Sequence, residues 1–253
     1  MSLPTSTART WIERWDRQQE SYLPDREHRF AVIADIVVLT ADRLRKPDPV
    51  ILDIGCGPGS LSARIRARLP LARVIGVDSD PLLLGLAAAN YPWLELLDTD
   101  LRDPQWTELV RHEQVDAVVS TTALHWLRHD ELATLYRTLA SVIRPGGVFV
   151  NGDYMPVSSR REVLGQLSED LRVLQARRAG VINREDWAAW WAAANLAPEL
   201  AELVERRGRR PLEHNRDGEV GFDDQAALLR ELGFAEVGAV WQFGADRILV
   251  GVR

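Results

Sequence analysis

Short apolar runs alternate with stretches of helical period through the middle of the chain. The runs are residues 50–54, 73–78, 94–97, 115–119 and 148–150. Short, largely apolar runs bounded by turn residues are typical of strands buried on both faces of a parallel sheet. A helix is predicted over 130–143, and it stops at Pro145, Gly146 and Gly147. This alternation predicts an α/β fold in which helices cover both faces of a parallel sheet.

An N-terminal helical cap is predicted over residues 1–45. Its first helix has residues at helical spacing before Pro24, namely Trp11, Trp15, Gln18 and Tyr22. A second helix is predicted over 25–45. The two tryptophans are the kind of large side chain that packs on a core, and we favour that role over substrate contact.

A second helical segment, residues 154–220, is predicted as a lid inserted between the fifth strand and the last helix. It carries one apolar stripe made of Val163, Leu164, Leu167, Leu171 and Leu174. A second stripe, Trp187, Trp190 and Trp191, follows Asn183 as a candidate N-cap. Packing is the favoured role of the tryptophan stripe, and an aromatic substrate box is the alternative. Residues 46–153 and 221–253 are predicted as the core of what we expect to be one domain overall.

The most informative local pattern is a glycine loop after the first strand. Asp53, Gly55, Cys56, Gly57 and Gly59 lead directly into a helical stretch. Glycines allow positive φ and close approach of a ligand, and the start of a helix offers free N–H groups, so the loop suits a nucleotide-like cofactor. The dinucleotide fingerprint would need glycine where Ser60 stands, and the phosphate-loop motif is absent.

Asp78 ends the second predicted strand 23 residues after Gly55, where doubly wound folds place a carboxylate on ribose hydroxyls. In this order of motifs, residues 45–153 resemble the class I S-adenosylmethionine-dependent methyltransferases, in particular the small-molecule branch that includes trans-aconitate methyltransferase. The resemblance implies a Rossmann-like, doubly wound, seven-stranded and mostly parallel sheet. The helix at 223–232, the strand at 233–237, the turn at 244–246 and the strand at 247–252 are similar to that family's last helix and antiparallel hairpin.

The resemblance also implies roles for individual residues. S-adenosylmethionine would be bound as cofactor, with S-adenosylhomocysteine as product. The methionyl part would lie on the glycine loop, the ribose on Asp78, and the adenine near Ser79, Asp100 and Leu101. The segment from Ser120 to His125 would lie beside the sulfonium. The implied cofactor-binding residues are Asp53, Gly55, Cys56, Gly57, Gly59, Asp78, Ser79, Asp100, Leu101 and Ser120.

His125 is the candidate general base, because it follows the fourth strand at the carboxyl edge and an imidazole titrates near neutral pH. The alternative is that it forms a wall of the pocket. Tyr22 and Arg26, at the break between the two cap helices, are candidate substrate contacts. The Asn/Asp-Pro-Pro-aromatic motif of nucleobase methyltransferases is absent, since Ser120, Thr121, Thr122 and Ala123 stand there. The expected acceptor is a small molecule, with a carboxylate or hydroxyl oxygen favoured and nitrogen or carbon as alternatives.

Composition narrows the class of partner. The chain has 253 residues, 46% of them apolar, and its net charge is −6. An acidic balance disfavours a nucleic-acid partner. The start of the chain lacks a signal-peptide pattern, no run is long enough to span a membrane, and one cysteine fits a reducing cytoplasm, so a cytoplasmic location is expected. No metal site is predicted, and the oligomeric state is not predicted. The rival functions are a non-catalytic domain that binds S-adenosylmethionine or S-adenosylhomocysteine, and a nicotinamide dehydrogenase.

Overall fold

The computed structural model describes residues 3–110, 114–156, 162–181, 184–210 and 220–253. Its centre is a seven-stranded sheet in the order β3-β2-β1-β4-β5-β7-β6. The strands are β1 (Val50–Ile54), β2 (Arg73–Asp78), β3 (Glu95–Asp98), β4 (Val115–Thr121), β5 (Ile143–Tyr154), β6 (Glu236–Phe243) and β7 (Asp246–Val252). Strands β1 to β5 are parallel, and β7 runs antiparallel to both β5 and β6. The predicted fold class is confirmed.

Helices cover both faces of the sheet. They are α1 (Thr5–Gln19), α2 (Arg26–Leu44), α3 (Ser60–Arg68), α4 (Pro81–Asn90), α5 (His129–Val142), α6 (Glu162–Arg178), α7 (Trp187–Leu196), α8 (Ala201–Gly208) and α9 (Phe222–Glu231). One face of the sheet packs against α2 and α3 through residues such as Phe30 and Ile65. The other packs against α5 and α9 through residues such as Leu135 and Leu229. Neighbouring strand residues point to opposite faces, so Ile51 and Leu52 enter different cores.

The fifth strand differs most from its prediction. The helix before it ends at Val142, and β5 begins at once with Ile143, so the residues predicted as a turn, 144–147, belong to the strand. A register shift between Val115 and Ala117 absorbs this irregular stretch, because Val115 pairs with Ile143 while Ala117 pairs with Val148. Strand β6 begins at Glu236, later than predicted, since Gly233 adopts a positive φ of 90° after α9.

The tryptophans join the cap to the inserted helices. Trp11, Trp190 and Trp191 share one core with Leu82 and Leu86 of α4. The Trp11 and Trp190 rings meet edge to face with centroids 5.6 Å apart. The packing role favoured for the tryptophan stripe is therefore confirmed for Trp190, which is fully buried. Trp187 is more exposed.

Two details of the inserted helices were predicted less well. Helix α7 is capped by Asp186, which accepts a hydrogen bond from the Ala189 N–H at 2.7 Å, whereas the predicted cap, Asn183, lies outside the described residues. Helix α6 forms as predicted, but its apolar stripe points to solvent. The side chains of Val163, Leu164, Leu167, Leu171 and Leu174 are between 43% and 75% exposed. Within the described ranges, no helix is long and apolar enough to cross a membrane.

Candidate functional site

A cavity of about 780 Å³ opens at the carboxyl ends of the parallel strands. Its floor is the loop from Gly55 to Pro58, and its walls come from the ends of β2, β4 and β5. Residues of α2, α6 and α7 close the opposite side. Open α/β sheets bind their ligands at this edge. Strands β1 and β4 are neighbours in the sheet although they are distant in sequence, so their carboxyl ends meet here.

The glycine loop is shaped by three residues with positive φ, which are Gly55 at 68°, Gly57 at 52° and Gly59 at 83°. The Gly55 and Cys56 N–H groups both donate to the Val77 carbonyl oxygen, at 2.8 and 3.1 Å, and so tie the loop to β2. A Cβ on Gly55 would lie 2.3 Å from the Ala123 Cβ. The loop therefore requires glycine at this position for both space and backbone conformation.

The predicted loop residues divide between the cavity wall and the layer behind it. Gly55, Cys56 and Gly57 line the cavity. Gly59 lies behind them as the N-cap of α3, where a Cβ would approach Tyr91 and Leu94 at 3.1 Å. The buried Cys56 thiol fills the space over Gly76, and burial raises its pKa well above the ordinary value.

Asp78 lies on the cavity wall at the end of β2. Its Oδ2 accepts from the Gly57 N–H at 2.7 Å, and its Oδ1 accepts from the Asp80 N–H at 2.9 Å. Burial raises the pKa of Asp78 to about 6, although these backbone donors oppose the shift. The carboxylate is thus held in one orientation facing the cavity, next to Ser79, which also lines it.

Asp53 and Ser120 lie behind the wall and do not line the cavity, in contrast to the direct contact expected for them. The Ser120 hydroxyl donates to the Ile54 carbonyl oxygen at 2.8 Å, which turns the side chain into the sheet. Asp53 Oδ2 accepts from the Ser62 hydroxyl at 2.6 Å, while its Oδ1 has no hydrogen-bond partner in the part of the chain that is described. Burial raises the pKa of Asp53 to about 7.

Asp100 and Leu101 line the cavity beyond β3, as expected for an adenine subsite. The Asp100 carboxylate is paired with Arg102, whose Nη2 lies 2.6 Å from Oδ2. This hydrogen bond lowers the pKa of Asp100 from its ordinary value. Asp100 therefore stays ionised beside the cavity, and Arg102 donates to both of its carboxylate oxygens.

His125 faces the cavity and is paired with a residue that was not predicted, Asp153 of β5. The His125 Nδ1 lies 2.7 Å from Asp153 Oδ1, and the His125 backbone N–H donates to Asp153 Oδ2 at 3.0 Å. Burial would raise the pKa of Asp153, but the charge and hydrogen bond of His125 and the charge of Arg29 hold it below the ordinary value. In the neutral form of the ring, the ionised carboxylate would place the proton on Nδ1 and the lone pair on Nε2.

Tyr22 and three arginines form the upper wall. Tyr22 is 46% exposed, and its hydroxyl oxygen accepts from the Trp187 N–H at 3.2 Å. Arg26, the other residue expected at this break, lines the cavity as well. Arg29 and Arg172 also line the cavity, although no local sequence pattern marks them. In the described ranges, no group of three or more His, Cys, Asp or Glu side chains could hold a metal ion.

Comparison with known proteins identifies the central part of the chain. Residues 51–147 match the model of a family described as a methyltransferase domain. This segment is a methyltransferase domain. The resemblance inferred from the glycine loop and Asp78 is thereby confirmed. The domain covers the glycine loop, Asp78, Asp100 and His125, whereas Asp153, Tyr22 and Arg26 lie outside it.

Two curated relatives extend the match. The trans-aconitate 2-methyltransferase of Azoarcus sp. (strain BH72) is 35% identical over 135 residues, which are 53% of this chain and 48% of that protein. The trans-aconitate 2-methyltransferase of Escherichia coli (strain K12 / DH10B) is 32% identical over 99 residues, 39% of this chain and 36% of that protein. The matched part of the chain thus spans about half the length of the first relative and less of the second.

Solved methyltransferases share the fold of this methyltransferase domain and of the segments around it. Magnesium protoporphyrin IX methyltransferase (ChlM) from Synechocystis PCC 6803, with bound S-adenosylhomocysteine, is 19% identical with a TM-score of 0.56, and the match covers 96% of this chain and 94% of that one. Human N-acetylserotonin methyltransferase, in complex with S-adenosylmethionine, is 16% identical with a TM-score of 0.54, over 95% of this chain and 56% of that one. At these identities the likeness is one of fold.

Proposed function

We propose that the chain is an S-adenosylmethionine-dependent methyltransferase that methylates a hydroxyl oxygen of a small molecule. The observation that carries the proposal is the His125–Asp153 pair, which lies in the same cavity as the glycine loop and Asp78. A hydroxyl must lose its proton on the way to an ether, and a neutral imidazole held by a carboxylate is suited to accept it. The curated relatives are named for trans-aconitate, which is a carboxylate. A carboxylate oxygen is therefore the alternative acceptor.

The cavity fits S-adenosylmethionine at two points of its lining. Gly57 leaves open space where a side chain would project, since a Cβ there would have one neighbour, at 3.8 Å. The fixed Asp78 carboxylate suits the two ribose hydroxyls. Asp53 does not line the cavity, but its buried Oδ1 has no partner in the described residues and lies behind the loop that would hold the methionyl end. When bound, the cofactor supplies a methyl group activated by its sulfonium, and S-adenosylhomocysteine is the product.

The protein's own residues supply orientation, water exclusion and proton transfer. His125 accepts the acceptor's proton at Nε2, while Asp153 keeps Nδ1 protonated and stabilises the imidazolium that results. Thr121, Thr122 and Trp126 form the wall around this position. Holding both ligands in one cavity favours in-line displacement, because the reactants are brought together and the bound ligands displace water.

The charges of the cavity favour a hydroxyl over a polycarboxylate. Each arginine described on its lining has a carboxylate partner: Arg26 pairs with Asp16, Arg29 with Asp246, Arg102 with Asp100, and Arg172 with Glu169. Such pairs leave little unbalanced positive charge to attract a polyanion. A carboxylate acceptor would also need no base, so the His125–Asp153 pair would have no role in its methylation.

The proposal includes the partners and location expected from the sequence. The substrate is a small molecule, with no nucleic acid or membrane as partner, and the single cysteine fits a reducing cytoplasm. The second candidate function, a domain that binds the cofactor without catalysis, predicts cofactor binding with no turnover for any acceptor.

The test is methyl transfer from methyl-labelled S-adenosylmethionine to a panel of phenols, alcohols, carboxylic acids and amines, read by mass spectrometry. We expect ether products, loss of about 100-fold or more in kcat for His125→Ala, and little change for His129→Ala, whose side chain lies outside the cavity lining. Ester products, together with unchanged activity of the His125→Ala variant, would show that the acceptor is a carboxylate and not a hydroxyl. Binding of the cofactor without any product would support the non-catalytic alternative.

A further inference from the structure

The part of the cavity around His125 is walled by aromatic rings from several elements. They come from the break between α1 and α2, the segment after β4, the ends of β5 and β6 and the start of α7, namely Tyr22, Trp126, Tyr154, Phe243 and Trp187. Three of these side chains stay partly exposed, Tyr22 at 46%, Trp187 at 37% and Tyr154 at 36%. Large rings that converge on one cavity and remain partly exposed favour a flat, apolar ligand.

Two of these rings adjoin the His125–Asp153 pair directly. The Trp126 and His125 rings have centroids 4.9 Å apart. The Tyr154 N–H donates at 2.9 Å to Asp153 Oδ1, the same oxygen that faces His125 Nδ1. A ligand in contact with both rings therefore lies beside the proposed base.

Phe243 joins this wall through the pairing of the strands. Tyr154 of β5 pairs with Asp246 of β7, and Asp246 pairs with Phe243 of β6. Paired residues on neighbouring strands project their side chains to the same side of the sheet, and all three of these residues line the cavity. Tyr154 and Phe243 thus flank Asp246 and extend the aromatic wall across three strands.

The cap and the inserted helices bring further rings to the same place. The Tyr22 hydroxyl oxygen accepts from the Trp187 N–H at 3.2 Å, so these two side chains are neighbours above the cavity. Arg172 of α6 lies near both tyrosines. Its hydrogen bond to Glu169 raises its pKa, and Tyr154 and Tyr22 contribute in the same direction. Tyr22 and Trp187 therefore cover the wall that Tyr154 begins.

The charged groups at this end of the cavity are held by other residues of the chain. Arg29 is fully buried, its Nη1 lies 2.6 Å from Asp246 Oδ1, and its Nη2 donates to the Thr121 hydroxyl at 2.7 Å. The Arg29 Nε has no hydrogen-bond partner among the described residues, but it lies against β5, since a Cβ on Gly152 would be 3.3 Å from it. A neutral acceptor therefore suits this end of the cavity better than an anion.

We propose that this end of the cavity binds the ring of an aromatic hydroxyl compound, with the hydroxyl at His125 Nε2. The ring lies between Trp126 and the wall formed by Tyr154 and Phe243, and Tyr22 and Trp187 cover it. This inference rests on the proposed function and names the substrate class. It gives Trp187 the role of substrate contact, which was the alternative to packing.

The chemistry of a phenol fits the base. A phenol hydroxyl has a pKa of about 10, as in tyrosine, so its proton passes to an imidazole more readily than the proton of an aliphatic alcohol. The hydroxyl oxygen forms a bond to the methyl carbon as the carbon–sulfur bond breaks, and the electron pair of that bond stays on sulfur. His125 Nε2 takes the proton, and the product is an aryl methyl ether.

Binding calorimetry on the protein saturated with S-adenosylhomocysteine tests this assignment. The probes are two matched pairs, phenol with cyclohexanol and 2-naphthol with decahydro-2-naphthol, whose members differ in the aromatic character of the ring. Because hydrophobic burial serves both members of a pair, we expect contacts between rings to make each aromatic member bind about 10-fold more tightly.

Variants locate this preference in the wall. Trp187→Leu and Tyr22→Leu should each weaken 2-naphthol by about 5-fold or more and decahydro-2-naphthol by less than about 2-fold. Tyr22→Phe keeps the ring and should recover most of the affinity lost in Tyr22→Leu. Trp241→Leu is the matched control, because Trp241 of β6 lies outside the described cavity lining. Binding of S-adenosylhomocysteine by each variant shows that it is folded.

The outcomes separate the two proposals. Equal affinity for both members of each pair, or no binding of any of the four probes, would overturn the aromatic assignment. Equal weakening of 2-naphthol and decahydro-2-naphthol in Trp187→Leu and Tyr22→Leu would overturn it too, as would the same selective loss in Trp241→Leu. Failure of the wild-type chain to bind S-adenosylhomocysteine, or methylation of carboxylic acids in place of hydroxyls, would instead contradict the proposed function itself.

Discussion

At the scale of single residues, the site depends on side chains that meet across long separations in sequence. His125 is visible as a candidate because it follows a strand, but its partner Asp153 lies 28 residues later, at the end of β5. Asp153 follows the apolar run at 148–150 and points to one face of the sheet together with Asn151. A polar residue at this strand end is a usable signal, and applying the strand-end rule to β5 would have found it.

In the proposed mechanism Asp153 positions His125, so its removal should alter the pH dependence of catalysis. Asp153→Asn should lower kcat by about 10- to 100-fold, because His125 loses its tautomer and the carboxylate that stabilises the imidazolium. The acidic limb of the kcat/KM profile should move to lower pH, since protonated His125 is no longer favoured. Affinity for S-adenosylhomocysteine should change little. Asp170→Asn, which removes an exposed carboxylate, is the control. An unshifted profile would contradict the role of Asp153.

Asp53 should make the cofactor-free protein less stable as the pH rises. Burial raises its pKa to about 7 from an unfolded value near 3.8, so the folded state binds the extra proton between these values. Stability is then lost as the pH increases through this window. Asp53→Asn removes the charge and should increase the free energy of unfolding by about 2–3 kcal/mol more at pH 8 than at pH 5, for a pKa near 7. Denaturant titrations at both pH values measure it, and an equal gain at the two would refute it.

Gly55 should tolerate no side chain. Gly55→Ala places a Cβ at 2.3 Å from the Ala123 Cβ on a backbone with φ of 68°, and should cost about 2–4 kcal/mol of stability. Gly165→Ala is the matched control, because a Cβ at this position near the start of α6 has no neighbour within 4 Å. It should stabilise the protein by about 0.5–1 kcal/mol through helix propensity. Chemical denaturation compares the two, and a stable Gly55→Ala variant would show that the loop can rearrange.

At the scale of elements, the cap and the inserted helices meet over the cavity. The Tyr22 hydroxyl accepts from the Trp187 N–H, and Gln175 of α6 donates to Asp25. Arg207 of α8 reaches Asp80, two residues after Asp78, at 2.7 Å. Its guanidinium carbon also lies 4.0 Å from the centroid of the Trp191 ring. These contacts join the two segments to each other and to the cofactor edge, which supports the proposal that they act as one cover.

Ligand binding should reduce the mobility of a cover of this kind. Hydrogen exchange should slow around Tyr22 and in α7 (Trp187–Leu196) when S-adenosylhomocysteine is added, and slow further with an acceptor, because ordered ligands stabilise the closed arrangement. The amides of Leu52 and Val118, in the centre of the sheet, should exchange slowly throughout. Unchanged exchange in both covering segments at saturating ligand would show that they are fixed parts of the core.

At the scale of the whole molecule, the sheet was predictable because buried parallel strands are marked by local apolar runs. The site was predictable where one short segment makes it, as at Gly55, Gly57 and Asp78. It was not predictable where distant segments meet, as for Arg29 of α2, which reaches Asp246 217 residues later. The orientation of the Ser120 side chain could not be predicted either, because it depends on a hydrogen bond to the Ile54 carbonyl oxygen of a neighbouring strand. The start of β5 could not be predicted for the same reason, because it depends on the pairing of β5 with β4.

The central claim is that the cavity above the glycine loop holds S-adenosylmethionine, and calorimetric titration with S-adenosylhomocysteine tests it most directly. The wild-type chain should bind it in the micromolar range or tighter and should not bind NAD. Asp78→Ala should weaken it by about 1.5–3 kcal/mol through loss of charge-assisted hydrogen bonds to the ribose, whereas Glu95→Gln on the exposed edge of β3 should bind normally. Binding of NAD in preference, or equal affinity in Asp78→Ala, would contradict the account.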